Sequence, residues 1–100
     1  MKNRSRLDIA ATILDIAQDG AIKTRIMYEA FLSFPQVKEY LGLLQANGAL
    51  EYAPDENKYY TTPRGRSFLL GYKEIGRLLS PKSSRLALSR LGMEETAVSG

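Results

Sequence analysis

The chain has 100 residues with no Cys, His or Trp, is 44% hydrophobic and 25% charged, and carries a formal net charge of +3, the profile of one small globular domain. Without thiolate or imidazole it has no means for Cys/His zinc or haem ligation, a cysteine nucleophile, imidazole acid–base chemistry or a disulfide, so no metal and no cofactor is expected. Catalysis would fall to carboxylates, Lys or Tyr, but the adjacent acidic pairs Asp55–Glu56 and Glu94–Glu95 lie in a turn and a tail and the eight glycines form no phosphate loop, which argues against an enzyme.

The first periodic segment, from Ser5 to Gln18, sets Leu7, Ala10, Ala11, Leu14 and Ala17 on one face, widened by Ile9, Ile13 and Ile16. This is helical spacing, with Ser5 and Asp8 as a capping box and Gly20 as a left-handed stop. Thr24 can cap a short helix over Arg25–Phe31 whose core side is Ile26, Met27 and Ala30, with Tyr28 on its flank. A turn at Leu32–Ser33 follows. Ser33 then offers an N-cap with Gln36 at the third helical position and Pro35 in the first turn, opening a helix over residues 34–47 closed by Gly48. Its core positions are Val37, Leu41 and Leu44, with Tyr40 beside them, so Pro35, Gln36, Lys38, Glu39 and Gly42 face outward.

From Ala49 the period changes to two. Leu50 and Tyr52 alternate with Glu51, Pro54–Asn57 supplies turn chemistry, and Lys58–Thr61 returns, giving a hairpin over 50–61. Thr62 and Pro63 start a last helix over 63–79 through Phe68, Leu69, Tyr72, Ile75 and Leu79, before Ser80–Pro81. Residues 1–80 are thus expected to form the domain, and 81–100 a tail that is partly helical over 83–91 or disordered. No segment reaches the roughly 18 to 20 apolar residues of a membrane span and the N-terminus has no apolar signal core, so a cytoplasmic protein with no membrane contact is expected.

Helix, short helix, tight turn, helix, hairpin, helix is the order of a mainly α (α+β) winged helix-turn-helix, a three-helix core with a β-hairpin wing and a C-terminal helix. Several runs also resemble the small archaeal winged helix-turn-helix transcriptional regulators: Arg4–Ile9, Lys23–Tyr28 with Leu32–Ser33 after it, Val37–Leu41, and Tyr60–Gly65 with Phe68–Leu69. The resemblance spans residues 3 to 79. It implies a cytoplasmic DNA-binding regulator, commonly a homodimer held through its last helix; here that helix carries Gly71 and Gly76 and meets Pro81.

If the chain binds double-stranded DNA, helix 34–47 enters the major groove. Gln36 is the candidate adenine reader, Lys38 a contact to phosphate or guanine, and Glu39 either accepts from cytosine or is simply solvated. Ser33 and Phe34 position the duplex, Phe34 either touching a thymine methyl or packing on the turn, while Lys23, Thr24 and Arg25 reach phosphate. The wing is acidic, with Glu51, Asp55 and Glu56 against Lys58, so Lys58 and Asn57 are its plausible contacts. Residues 63–82 hold five basic side chains against one acid. Arg64 and Arg66 either extend the phosphate surface or solvate the helix, Lys73 and Arg77 read as solvation, and Arg4 and Arg6 read as a flexible arm that reaches DNA or stays in solvent. Phe68, Tyr72, Ile75 and Leu79 form a short a/d seam for dimerisation or for the domain's own core. The rival to a DNA-binding regulator is a winged helix that binds protein only.

Overall fold

The computed structural model describes residues 4–79. Helix α1 (Arg6–Ile16) runs into a 3-10 turn (Ala17–Asp19), followed by α2 (Lys23–Glu29), α3 (Phe34–Ala46), strands β1 (Leu50–Ala53) and β2 (Lys58–Thr61), and α4 (Pro63–Leu79). Both capping boxes form as the sequence predicts. The Ser5 hydroxyl accepts from Asp8 N–H at 3.0 Å while the Asp8 carboxylate accepts from Ser5 N–H at 3.1 Å. Ser33 and Gln36 repeat the exchange at the start of α3, at 3.3 and 2.9 Å, so two orphan donors are satisfied at each helix entry.

The short helix departs from expectation. Its N-cap is Ile22, which offers no side-chain acceptor, and Thr24 lies one residue inside the helix. The helix also stops earlier: Ala30 is its C-cap, and Phe31, expected inside the helix, has φ 55°.

The described residues fall into two units, one ending at Leu69 and the other beginning at Leu70. In the first, Ile13 and Leu14 of α1, Ile26 of α2 and Val37 of α3 are fully buried and are joined by Ala30, Leu41, Leu50 and Leu69. Several expected core positions lie nearer the surface: Leu7 is 59% exposed, and Ala10, Ile16, Met27 and Leu44 are half-buried. Leu7 and Leu44 line a groove of about 310 Å³ with Leu14 and Phe68.

Strands β1 and β2 pair antiparallel, Leu50 opposite Thr61 and Tyr52 opposite Tyr59, with the Tyr52 and Tyr59 rings 4.8 Å apart. On the other edge of β2, Ala21 exchanges two hydrogen bonds with Tyr59 at 3.0 and 2.8 Å, a one-residue third strand that the sequence pattern does not reveal. Buried Thr61 donates to Leu14 O at 2.7 Å and ties the hairpin to α1.

The start of α4 is locked onto the end of α3. Thr62 Oγ1 accepts from Gly65 N–H at 3.1 Å and donates to Gly48 O at 2.6 Å, while Thr62 N–H donates to Ala49 O at 3.0 Å. Gly65 lies so close to Ala49 that a Cβ there would stand 2.3 Å from the carbonyl oxygen. The helix continues unbroken through Gly71 and Gly76. In the second unit the described residues are the end of that helix, where Ile75 and Leu79 are exposed and Arg77 is ion-paired with Glu74. Pro81 and the expected short helix over 83–91 lie outside the described residues, and no helix among those described is long and apolar enough to cross a membrane.

Candidate nucleic-acid interface

Helix α3 spans 13 residues, about 20 Å at 1.5 Å per residue. Val37, Tyr40 and Leu41 turn inward, which leaves Phe34, Pro35, Gln36, Lys38, Glu39 and Gly42 exposed. The capping box fixes the orientation of Gln36. Its Oε1 accepts from Ser33 N–H, so the amide NH2 is the group it directs outward, and a bidentate contact with adenine would require release of the cap.

The N-terminus of α2 meets that of α3 through side chains. The Lys23 ammonium lies 4.8 Å above the Phe34 ring, a cation–π contact that brings a positive charge to the start of α3. Phe34 thereby has a packing partner while the residue is still 55% exposed. Thr24 is exposed beside Lys23. Arg25 turns along its own helix to Glu29 at 2.9 Å, an exposed i, i+4 pair. Such pairs contribute little and open readily.

Two N-terminal arginines expected to be flexible are held. Arg4 Nη1 donates to Ala30 O at 2.7 Å and Nη2 to Phe31 O at 3.2 Å, which supplies donors to carbonyls at the end of α2. Arg6 pairs with Glu39 at 3.1 Å and its guanidinium stacks 5.1 Å from the Tyr40 ring centroid. Glu39 is therefore an ion-paired carboxylate. Neither long-range contact has a local sequence signal.

Lys38 lies on α3 itself, and the remaining candidates lie elsewhere on the first unit. Among the described residues, Lys38, Lys58, Arg64 and Arg66 have no ion-pair partner. Arg64 stands at the opposite end of α3 from Gln36, its stem against Gly48 and its side chain on the apolar groove with Leu7, Leu44 and Phe68. A cation there faces the negative end of the α3 dipole. On the wing, the Tyr52 hydroxyl donates to Asn57 Oδ1 at 2.7 Å, and Tyr60 donates to Glu56, which pushes the Tyr60 phenol above its ordinary pKa. Asn57 and Glu56 are thus engaged within the hairpin. Of the expected seam, Phe68 lines the groove, Tyr72 is half-buried, and Ile75 and Leu79 are open.

A family profile for winged helix-turn-helix proteins matches residues 3–80. An uncharacterized protein of Methanocaldococcus jannaschii is 30% identical over 80 residues, 79% of this chain and 80% of its own. The crystal structure of a MarR-family transcriptional regulator from Silicibacter pomeroyi superposes with a TM-score of 0.50 at 19% identity, over 95% of this chain and 74% of that one. This last likeness is one of fold. The helix pair with its tight turn, the capped and outward-facing α3, the hairpin and the profile match agree: the chain belongs to the winged helix-turn-helix family.

Proposed function

We propose that the chain is a cytoplasmic DNA-binding transcriptional regulator that inserts α3 into the major groove. The observation that carries this reading is the exposed N-terminal half of α3, with Lys38 unpaired and Lys23 drawn over Phe34 at the point where α2 and α3 start. In helix-turn-helix proteins the first residues of the second helix meet base edges while the first helix touches backbone. Lys38 is the phosphate or guanine contact, Gln36 reads through its outward NH2, and Lys23, Thr24 and Ser33 position the duplex. Arg25 joins the phosphate contacts by exchanging its exposed pair with Glu29 for a phosphate. Lys58, Arg64 and Arg66 are secondary phosphate contacts outside the α3 N-terminus. A homodimer through Phe68, Tyr72, Ile75 and Leu79 of α4 would present two such helices to a palindromic site.

Selection of bound sequences from random duplex DNA, followed by salt titration of the winner, tests the reading. The expected result is an enriched palindrome, a steep loss of affinity with salt, and a slope flattened by about one unit in Lys38→Ala. The acidic wing favours one rival, a protein-binding winged helix. Absence of any enriched duplex would leave that rival standing.

A further inference from the structure

Helices α2 and α3 end in the same backbone motif. After α3, Gly48 stands just beyond the cap with φ 76°, its N–H donating to Gln45 O at 3.0 Å and that of Ala49 to Leu44 O at 2.8 Å. After α2, Phe31 holds the equivalent place with φ 55°, its N–H donating to Tyr28 O at 3.2 Å and that of Leu32 to Met27 O at 2.9 Å. These are paired Schellman bonds, and the residue that makes the left-handed turn is usually glycine because a Cβ is crowded there. Among the described non-glycine residues, Asn57 also has a positive φ, but asparagine tolerates that region and phenylalanine does not.

Packing does not compensate for this choice. Phe31 is 83% exposed, more than any other large hydrophobic residue described, and no aromatic ring or cation among the described residues stacks on its ring. The turn is nevertheless held firmly, since Arg4 reaches across from the N-terminal segment to the carbonyls of Ala30 and Phe31. A strained backbone and an open aromatic ring, fixed three residues ahead of the first residue of α3, point to a role outside the fold.

We propose that Phe31 is a specificity contact whose ring packs on the 5-methyl group of a thymine at the edge of the site read by α3. The inference rests on the DNA-binding reading above. The turn leads directly into the helix end that approaches base edges, and the thymine methyl is the apolar group the major groove displays. Arg4, bonded to the Phe31 carbonyl at 3.2 Å, brings a cation to the turn, which suits a duplex. Phe34, the next aromatic residue, already has Lys23 above its ring, whereas Phe31 is open.

Phe31→Gly separates this contact from stability, because glycine relieves the φ constraint and the deleted ring is hardly buried. The full-length chain and the variant are titrated with the selected duplex and with versions in which each thymine is replaced, singly, by deoxyuridine. The variant is expected to melt no lower than the parent, to bind about tenfold more weakly with an unchanged salt slope, and to ignore the one deoxyuridine that weakens the parent severalfold. Equal affinity and equal responses to every deoxyuridine would overturn the contact while leaving DNA binding intact. Uniform weakening without a deoxyuridine effect would also overturn it, assigning the ring to the sugar–phosphate backbone, and a change in oligomeric state alone would assign it to a second copy of the chain. If the parent binds no duplex, the DNA-binding reading fails first and this contact with it.

Discussion

Three glycines of α4 sit in opposite environments and make a controlled experiment. A Cβ on Gly65 would meet Ala49 O at 2.3 Å and Thr61 Cγ2 at 2.9 Å, whereas one on Gly71 or Gly76 meets nothing within 4 Å. Gly65→Ala must push the helix from the hairpin by roughly 0.7 Å to reach even the closest separations a Cβ tolerates, and overpacking of this kind costs about 1–3 kcal/mol. The same shift strains the Thr62 bonds to Gly48 O and Ala49 O, each worth about 1 kcal/mol. Alanine returns about 1 kcal/mol of helix propensity. The net expectation is a loss of about 2–3 kcal/mol, or roughly 10–20 °C in the thermal midpoint of a domain this size. Gly71→Ala and Gly76→Ala have no clash, so each should stabilise α4 by about 0.5–1 kcal/mol and raise its helicity. Thermal unfolding followed by circular dichroism reads all three. A Gly65→Ala protein as stable as its parent would refute the close-approach argument, as would losses of equal size at all three positions.

Three further outcomes follow from particular contacts. Ser33→Ala removes the α3 capping box and should cost about 1 kcal/mol in urea unfolding at unchanged m-value; no shift in midpoint would mean that the box is not stabilising. The Tyr60 phenol is raised from its ordinary 10.0 first by its hydrogen bond to Glu56. Its contribution to stability is therefore complete below the unfolded pKa and is lost as pH climbs through the folded one. Spectrophotometric titration should show two tyrosines ionising late, Tyr59 held up by burial and Tyr60 by Glu56, and in Glu56→Ala one of the two earlier; superimposable curves would contradict the contact. For the proposed dimer, sedimentation at micromolar concentration should give two copies for the parent and one for Ile75→Asp/Leu79→Asp, while a monomeric parent would remove α4 as a dimer seam.

What the sequence made legible was what neighbouring residues decide. Ser5 with Asp8, Ser33 with Gln36 and Thr62 with Gly65 each lie three apart, so their hydrogen bonds are readable from spacing and side-chain chemistry. The hairpin was visible because Pro54–Asn57 interrupts two short runs of suitable residues. Errors arose where a partner from another element decided the matter. Phe31 continues the helical pattern of Arg25–Ala30, yet the chain must turn there for Leu32 to reach the core, and Arg4 secures that turn from 27 residues away. Thr24 resembles a cap, but α2 starts at Lys23. The Arg6–Glu39 pair, 33 residues apart, has no periodic signature, which is why Glu39 read as a solvated charge ahead of a base contact and not as an ion-pair partner.

That pair decides how much charge the proposed recognition surface can offer. With Arg6 on Glu39 and Arg25 on Glu29, two of the cations nearest α3 are neutralised locally, and Lys38 is the unpaired cation on its exposed face. Both pairs are solvent-exposed, so exchanging a carboxylate for a phosphate costs each arginine little, but the released Glu39 would then lie beside the duplex as a repulsive charge. If Glu39 serves only to hold Arg6, Glu39→Ala frees a guanidinium and removes that repulsion. Affinity for the selected duplex should then rise, and the plot of log affinity against log salt should steepen by about 0.9 for the one added phosphate contact. If instead Glu39 accepts from a cytosine amino group, the same substitution leaves that base unread, so affinity for the selected sequence falls and discrimination at one C·G pair is lost. The ion pair favours the first outcome, and a measured loss of both affinity and base preference would refute it.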